Sequence, residues 1–371
     1  MDLAEIEKLS TPSLILDIAR VRRNAERMSA KATALGVRLR PHIKTHKCVE
    51  IARFQTAGHS GAITVSTLEE ARAFAANGFS DITYAVPIEP GKFAAAFELM
   101  QHGITLNLLT DDLETVRKLA KAAANADVKP NVFIKIDCGT HRVGVEPQSA
   151  AALDLVFQIS NSKFLTFAGI LTHAGHSYDV PTVEDIKAVA GHERDVMVDL
   201  KRRLNNEGID VPTVSIGSTP TMSLVDDLSG IDEIRPGNYI FFDNYQATLG
   251  SCSFEDTALT VLAAVVHASN GKLVIDAGGI AMSKDRGPVG LDPSCGYGRV
   301  LDLEGNDTGM RLTSLSQEHG VIENAENLSY KVGDRVRILA NHSCMTAAQH
   351  SHYNILENGE IIDQWEIHRG W

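Results

Sequence analysis

No apolar run in this chain reaches the roughly 18–20 residues that a membrane-spanning helix requires. The opening segment, MDLAEIEKLS, is acidic and polar, which is wrong for a signal peptide or an Arg-rich transit peptide. A cytoplasmic location without membrane attachment is therefore expected. Basic blocks are missing too, and the formal net charge is −12, so a nucleic-acid partner is not expected. Five cysteines, Cys48, Cys138, Cys252, Cys295 and Cys344, are scattered without a Cys-x-x-Cys pair. That sparse, odd set fits reduced thiols better than a disulfide framework. The Gly-x-Gly-x-x-Gly fingerprint of a dinucleotide fold is lacking after the first strand candidate.

What is there is periodic. From about residue 18 to 245, short β-branched apolar runs alternate with longer amphipathic stretches. The strand candidates are Val37–Ile43, Ala62–Val65, Ile82–Val86, Thr105–Leu108, Val132–Asp137, Phe167–Thr172, Thr213–Ile216 and Ile231–Arg235. Between them lie helical patterns such as Thr67–Asn77, opened by the capping-box run Thr67-Leu68-Glu69-Glu70, and Asp111–Ala124. Eight βα units predict an α/β fold with a closed (β/α)8 TIM barrel over 18–245. Beyond residue 246 the runs Leu259–Ala268, Lys272–Ala277, Val332–Leu339, His352–Leu356 and Ile361–Ile367 read as strands. Two of their connections contain Asn-Gly, a hairpin signal. This predicts a C-terminal antiparallel β-domain over 246–371, with residues 1–17 as an addition and Ser13–Asp17 as a strand of either part.

Chemistry gathers at the C-terminal ends of the barrel strands. Lys44, in Arg40-Pro41-His42-Ile43-Lys44-Thr45-His46-Lys47, closes the first. Taken alone, a lysine leaving a strand is most often solvated. Desolvated there, its amine would suit Schiff-base chemistry. The loop after the seventh strand, Gly217-Ser218-Thr219-Pro220-Thr221, offers a glycine for close approach and hydroxyls ahead of a helix. The loop after the eighth is Pro236-Gly237-Asn238-Tyr239. Barrels bind phosphate with these two loops. Lysine and phosphate site together point to pyridoxal 5′-phosphate (PLP). Arg142, after the fifth strand, is then placed to meet the pyridine nitrogen, against the plainer reading of a surface arginine. His173 and Tyr178 follow the sixth strand, for cofactor or substrate or for structure alone. His342 and Cys344 are two apart, on one face if the segment is a strand. Imidazole plus thiolate suits Zn2+, although a packed His beside a buried Cys is commoner.

The Pro41-His42-Ile43-Lys44 run and Asn341-His342-Ser343-Cys344 occur with Thr11-Pro12, Gly217-Ser218-Thr219-Pro220, Arg235-Pro236-Gly237-Asn238-Tyr239 and Ile275-Asp276-Ala277-Gly278. With these landmarks the chain resembles, over nearly its whole length, a fold-type III PLP family. That family holds the eukaryotic-type D-serine dehydratases, D-threo-3-hydroxyaspartate dehydratases and D-threonine aldolases, with alanine racemase as a more distant relative. The resemblance implies that Lys44 bonds PLP and Arg142 faces its pyridine nitrogen. Ser218, Thr219, Gly237 and Asn238 would surround the phosphate, with Tyr178 or Tyr239 beside them. His342 and Cys344 match zinc ligands. It also implies a homodimer and a small D-amino-acid substrate.

The aldolase branch carries His-x-Asp at its metal and prefers Mn2+ or similar hard ions. The thiolate of Cys344 favours zinc, a Lewis acid for a departing β-hydroxyl. The expected reaction is thus β-elimination from a D-3-hydroxy amino acid to an α-keto acid and ammonia. A metal-dependent aldolase, using Mn2+ or Mg2+ and releasing glycine plus an aldehyde, is the alternative. A racemase or a non-catalytic PLP-handling protein stands further off.

Overall fold

The computed structural model of the chain describes residues 4–323, 325 and 330–371. Residues 1–3, 324 and 326–329, which the expected domains include, lie outside the described residues. Two compact units emerge. One comprises Met1–Arg27, Thr45–Ile51 and Asn238–Arg369; the other comprises Met28–Lys44, Ala52–Gly237 and Gly370–Trp371.

The first strand, β1 (Ser13–Asp17), belongs to the former unit. The latter holds β2 (Arg38–Leu39), β3 (Ile63–Val65), β4 (Asp81–Pro87), β5 (Thr105–Thr110), β6 (Asn131–Lys135), β7 (Thr166–Leu171), β8 (Val214–Ile216) and β9 (Glu233–Ile234). They form one eight-stranded sheet, ordered β2-β9-β8-β7-β6-β5-β4-β3 and parallel throughout. A parallel bridge between His42 and Thr64 joins its two edges, so the sheet closes into the expected barrel.

Local rules set its helices. The Thr67 side chain accepts from the Glu70 N–H while Glu70 reaches back, the capping box that opens helix Leu68–Ala76. Asp112 caps Leu113–Ala126 with a single bond, accepting from the Thr115 N–H. Leu109, Phe133 and Leu171, from three successive strands, form an apolar cluster of the core.

A polar chain also links the barrel strands. Arg40 Nε donates to Glu233 Oε2 at 2.7 Å and its terminal nitrogens grip both Asp81 oxygens at 2.7 and 3.0 Å. Asn107 donates to Asp81 at 3.1 Å, and Asn131 donates to Asn107 at the same distance. Arg40 and Glu233 are buried, so removing one partner alone would strand a charge out of water.

The other unit continues with β10 (Leu259–Ser269), β11 (Lys272–Ile275), β12 (Gly298–Leu301), β13 (Asp307–Leu315), β14 (Gly320–Ile322), β15 (Arg335–Ala340), β16 (His352–Glu357) and β17 (Glu360–Glu366). The strand order is β11-β14-β13-β12-β15-β10-β1-β16-β17, with β11 also paired to β10, which closes a small barrel. The Asn-Gly turns behave as their chemistry requires. Asn270 and Gly271 have φ of 49° and 72°, and Asn358 and Gly359 have 53° and 92°, the left-handed pair of a tight hairpin. Among the described residues the domain departs once from purely antiparallel pairing: β1 runs antiparallel to β10 but parallel to β16. It arrives from the N-terminus, so no hairpin dictates its direction. Ile6, Ile15, Leu262 and Leu356 form a core cluster of this unit.

Candidate active site

In the parallel barrel, Pro41-His42-Ile43 leaves β2, and the His42 N–H donates to the Pro236 carbonyl at 3.0 Å. Lys44 does not close a strand, as the apolar run suggests. β2 ends at Leu39, and Ile43–Thr45 is a turn of 3-10 helix. Lys44 is exposed while Ile43 and Thr45 beside it are buried. The run is apolar because its neighbours pack inward, and the turn lifts the amine out.

The loop after β7 brings His173, whose Nδ1 donates to the Gly217 carbonyl at 3.1 Å. Burial, together with the charges of Lys44, Lys135 and Arg235, pushes the imidazole well below its ordinary pKa, so it is neutral. Tyr178 ends the short 3-10 helix Gly175–Tyr178 and is half-buried. Ser177, just before it, has its Oγ 2.8 Å from Ser218 Oγ. Ser218 caps the six-residue helix Thr219–Leu224, with Thr221 answering from its first turn, and Ser218 and Thr219 are both buried.

The sequence offers Gly217 for close approach to a ligand. Its φ of +115° is one that side chains rarely adopt, and a Cβ there would lie 2.9 Å from Met222 Cγ. The backbone conformation therefore needs a glycine here, whatever approaches it. Arg142 is exposed in the loop after β6. Asp137 shapes that loop by accepting from Gly139 N and His141 N at 2.9 and 3.1 Å. Gly237 is buried at the end of this unit's chain.

Two groups here escape a reading of the sequence. Lys135, at the end of β6, is 5% exposed, and burial beside Arg235 lowers its pKa to about 8. Glu193, fully buried in helix Val183–Asn206, accepts from the backbone N–H groups of Ala174 and Gly217. A signal exists for it: Glu193 occupies the apolar stripe Ile186, Ala190, Met197, Leu200 and Leu204, where a carboxylate is out of place.

The second set of residues lies in the β-rich unit. The spacing of His342 and Cys344 suggests a shared strand face. The strand stops at Ala340, however, and His342 stands at the N-cap position of the short helix Ser343–Ala347 without a side-chain capping bond. The pair therefore meets across a strand-to-helix turn, with His342 hydrogen-bonded to Cys344. His342 Nδ1 lies 2.5 Å from Asp285 Oδ2. Burial opposes charge on the ring, but Cys344, Asp243 and Asp285 outweigh it and push its pKa up to about 10. Cys344 Sγ is 3.2 Å from Thr45 Oγ1 and 3.5 Å from Asn238 Nδ2. Thr45 and Asn238 are the chain neighbours of Lys44 and Gly237.

The Asn238 amide is committed to Asp243 at 2.7 Å and Ser343 at 3.1 Å, and its buried Oδ1 has no partner. A phosphate would have to use its backbone. Tyr239 is 1% exposed.

These residues fit the groups the sequence suggests. Lys44 presents an amine, and Ser177 and Ser218 form a hydroxyl pair at a helix start. His342 and Cys344 are an imidazole and a thiol in contact, and Asp285 fixes the ring as an outer carboxylate does behind a metal-bound histidine. No cluster of three or more metal-binding side chains occurs among the described residues. Two protein donors would leave positions open for water or substrate.

The chain thus holds a closed parallel barrel with an exposed lysine in the turn past its first strand, and a β-barrel with a His–Cys pair. Residues 16–245 match the alanine racemase N-terminal domain, and 258–356 match the putative serine dehydratase domain. D-threo-3-hydroxyaspartate dehydratase from Delftia sp. (strain HT23) is 39% identical over 98% of both chains. D-serine dehydratase from Dictyostelium discoideum is 37% identical over 99% of this chain and 98% of its own. The solved structure of the Delftia protein superposes with a TM-score of 0.94 at 38% identity, covering 99% of this chain and all of that one. D-threo-3-hydroxyaspartate dehydratase has also been solved with a histidine, or the cysteine two positions on, changed to alanine, the cysteine variant in a metal-free form. D-threonine aldolase from Filomicrobium marinum gives a TM-score of 0.86 at 27% identity, covering 98% and 96%. The chain belongs to the fold-type III family of PLP-dependent, alanine racemase-like proteins, in the branch that joins this barrel to a D-serine dehydratase domain.

Proposed function

We propose that the protein is a lyase that removes water from a D-3-hydroxy amino acid, such as D-serine or D-threo-3-hydroxyaspartate, yielding an α-keto acid and ammonia. The observation that carries this reading is the contact of His342 with Cys344, backed by Asp285. A thiolate in the donor set favours zinc over the Mn2+ or Mg2+ of the aldolase alternative. The dehydratase relatives and the metal-free cysteine variant of one of them support the same choice.

Bound PLP supplies an electron sink for charge developing at the substrate Cα, and zinc a Lewis acid for the leaving β-hydroxyl. Lys44 would bond the cofactor and, once displaced by the substrate amine, take the α-proton at Nζ. Ser218, Thr219, Gly237 and the backbone of Asn238 would hold the phosphate, with Tyr178 or Tyr239 beside it. Arg142 would donate to the pyridine nitrogen, and being permanently charged it would leave that nitrogen unprotonated. His342 and Cys344 would hold the metal, with Asp285 fixing the ring. A homodimer, as the resemblance implies, is part of this proposal, as is a cytoplasmic setting; no helix among the described residues is long and apolar enough to cross a membrane.

The test is product analysis of the PLP-loaded protein with D-serine, D-threonine and D-threo-3-hydroxyaspartate, with and without chelator. Keto acid and ammonia that disappear with chelator are expected. Glycine plus an aldehyde, without keto acid, would make it an aldolase.

A further inference from the structure

Helix Val183–Asn206 packs through Ile186, Ala190, Met197, Leu200 and Leu204, and Glu193 sits in the middle of that stripe with no exposed surface. A buried carboxylate persists only where donors replace water. Glu193 Oε1 accepts from Ala174 N at 2.9 Å and from Gly217 N at 3.1 Å. The Thr221 hydroxyl lies 3.4 Å from Oε2. Ala174 follows His173, and Gly217 precedes Ser218. One oxygen atom thus fastens the loop after β7 to the loop after β8.

Further bonds depend on that fastening. His173 Nδ1 donates to Gly217 O at 3.1 Å. Ser177 donates to Ala174 O at 2.7 Å, while its Oγ lies 2.8 Å from Ser218 Oγ. Thr221 Oγ1 is 2.9 Å from Ser218 Oγ. The hydroxyls of Ser177, Ser218 and Thr221 are each oriented by a group that leans on Glu193 directly or at one remove. Buried Lys135 and Arg235 lie close enough to feel its charge.

We infer that Glu193 is a positioning residue for the cofactor: its carboxylate latches the two loops together and so presets Ser218, one of the residues proposed to receive the phosphate. The inference rests on the PLP reading of this barrel mouth. Without the latch, two buried N–H groups lose their acceptor, and the loops must move to satisfy them. The cost falls on the cofactor, which would then have to organise its own cup.

The experiment compares wild type with E193A, E193Q and E193D for PLP affinity of the apoprotein, the 31P resonance of bound phosphate, and melting temperature. E193A is expected to weaken PLP binding about tenfold or more and to shift the resonance. In E193Q the side-chain amide oxygen can still accept both N–H groups, so affinity should recover to within about threefold of wild type. Aspartate keeps the charge but is one methylene short, so E193D should resemble E193A. A folded E193A that binds PLP like wild type overturns the latch. So does an E193Q as weak as E193A, which would make charge the requirement instead of acceptor geometry. Should E193A fail to fold, the order of E193Q and E193D decides. A wild type that takes up no PLP would sink the site reading itself, whereas normal uptake with an unaffected E193A sinks the latch alone.

Discussion

Lys44 is lifted by a single helical turn from a buried run, and its amine has two proposed duties, bonding PLP and taking a proton. K44A should therefore lose the borohydride-trappable bond to PLP. Its dehydration rate should fall at least about 100-fold, the scale of a lost general base. Asp285 holds the ring of His342, one of the two proposed metal ligands. In D285N the His342 ring loses its charged partner, and zinc should bind about 10–100-fold more weakly in a metal titration, with PLP uptake unchanged. His173 gives the protein an acid limit. Its folded pKa is depressed, so the neutral ring contributes stability that is fully present above the unfolded value of about 6.5 and is lost as pH falls toward the folded value. Melting temperature should drop as pH falls below about 6.5, and part of that slope should vanish in H173Q. An identical slope in the variant would show that other groups set it.

At the scale of elements, strand pairing depends on close approach. Gly169 of β7 has φ of +138°, and a Cβ there would lie 2.0 Å from the Thr213 carbonyl oxygen, which the Ile170 N–H uses to pair with the next strand. G169A should cost at least about 2 kcal/mol of stability in urea unfolding, because backbone must yield. The barrel strands were readable as short apolar runs because both faces are covered by protein. The Thr67 capping box and the Asn-Gly hairpins were readable because each is a rule over four residues or fewer. The turn at Ile43–Thr45 was not, since an inward-packing turn and a buried strand both read as apolar. The helix that begins at Ser343 was hidden for a similar reason: His-x-Cys spacing is compatible with either backbone.

At the scale of the molecule, the groups assigned to PLP and those assigned to the metal pair are largely carried by different compact units. Chelation should then abolish dehydration, by at least about tenfold, while leaving the Lys44–PLP absorbance and the circular dichroism intact. Zinc should restore the rate. Loss of PLP or of secondary structure on chelation would mean that the metal also holds the fold. The polar chain from Arg40, just past β2, through Asp81, Asn107 and Asn131 runs across β4, β5 and β6, so it is a property of the sheet and of no one segment.

The amino-acid order by itself determined the eight βα units, the hairpins, the lysine at the first barrel strand, the hydroxyl loop after the seventh and the His342–Cys344 spacing. Each is a local pattern of period, turn chemistry or residue type. Only the tertiary structure decided that Lys44 is exposed, that the backbone at Gly217 needs a glycine, that Asp285 stands behind His342 from 57 positions away, and that Glu193 joins two loops. Those outcomes depend on which surfaces closure of the barrels brings together, and a buried carboxylate is identified by the donors it meets there.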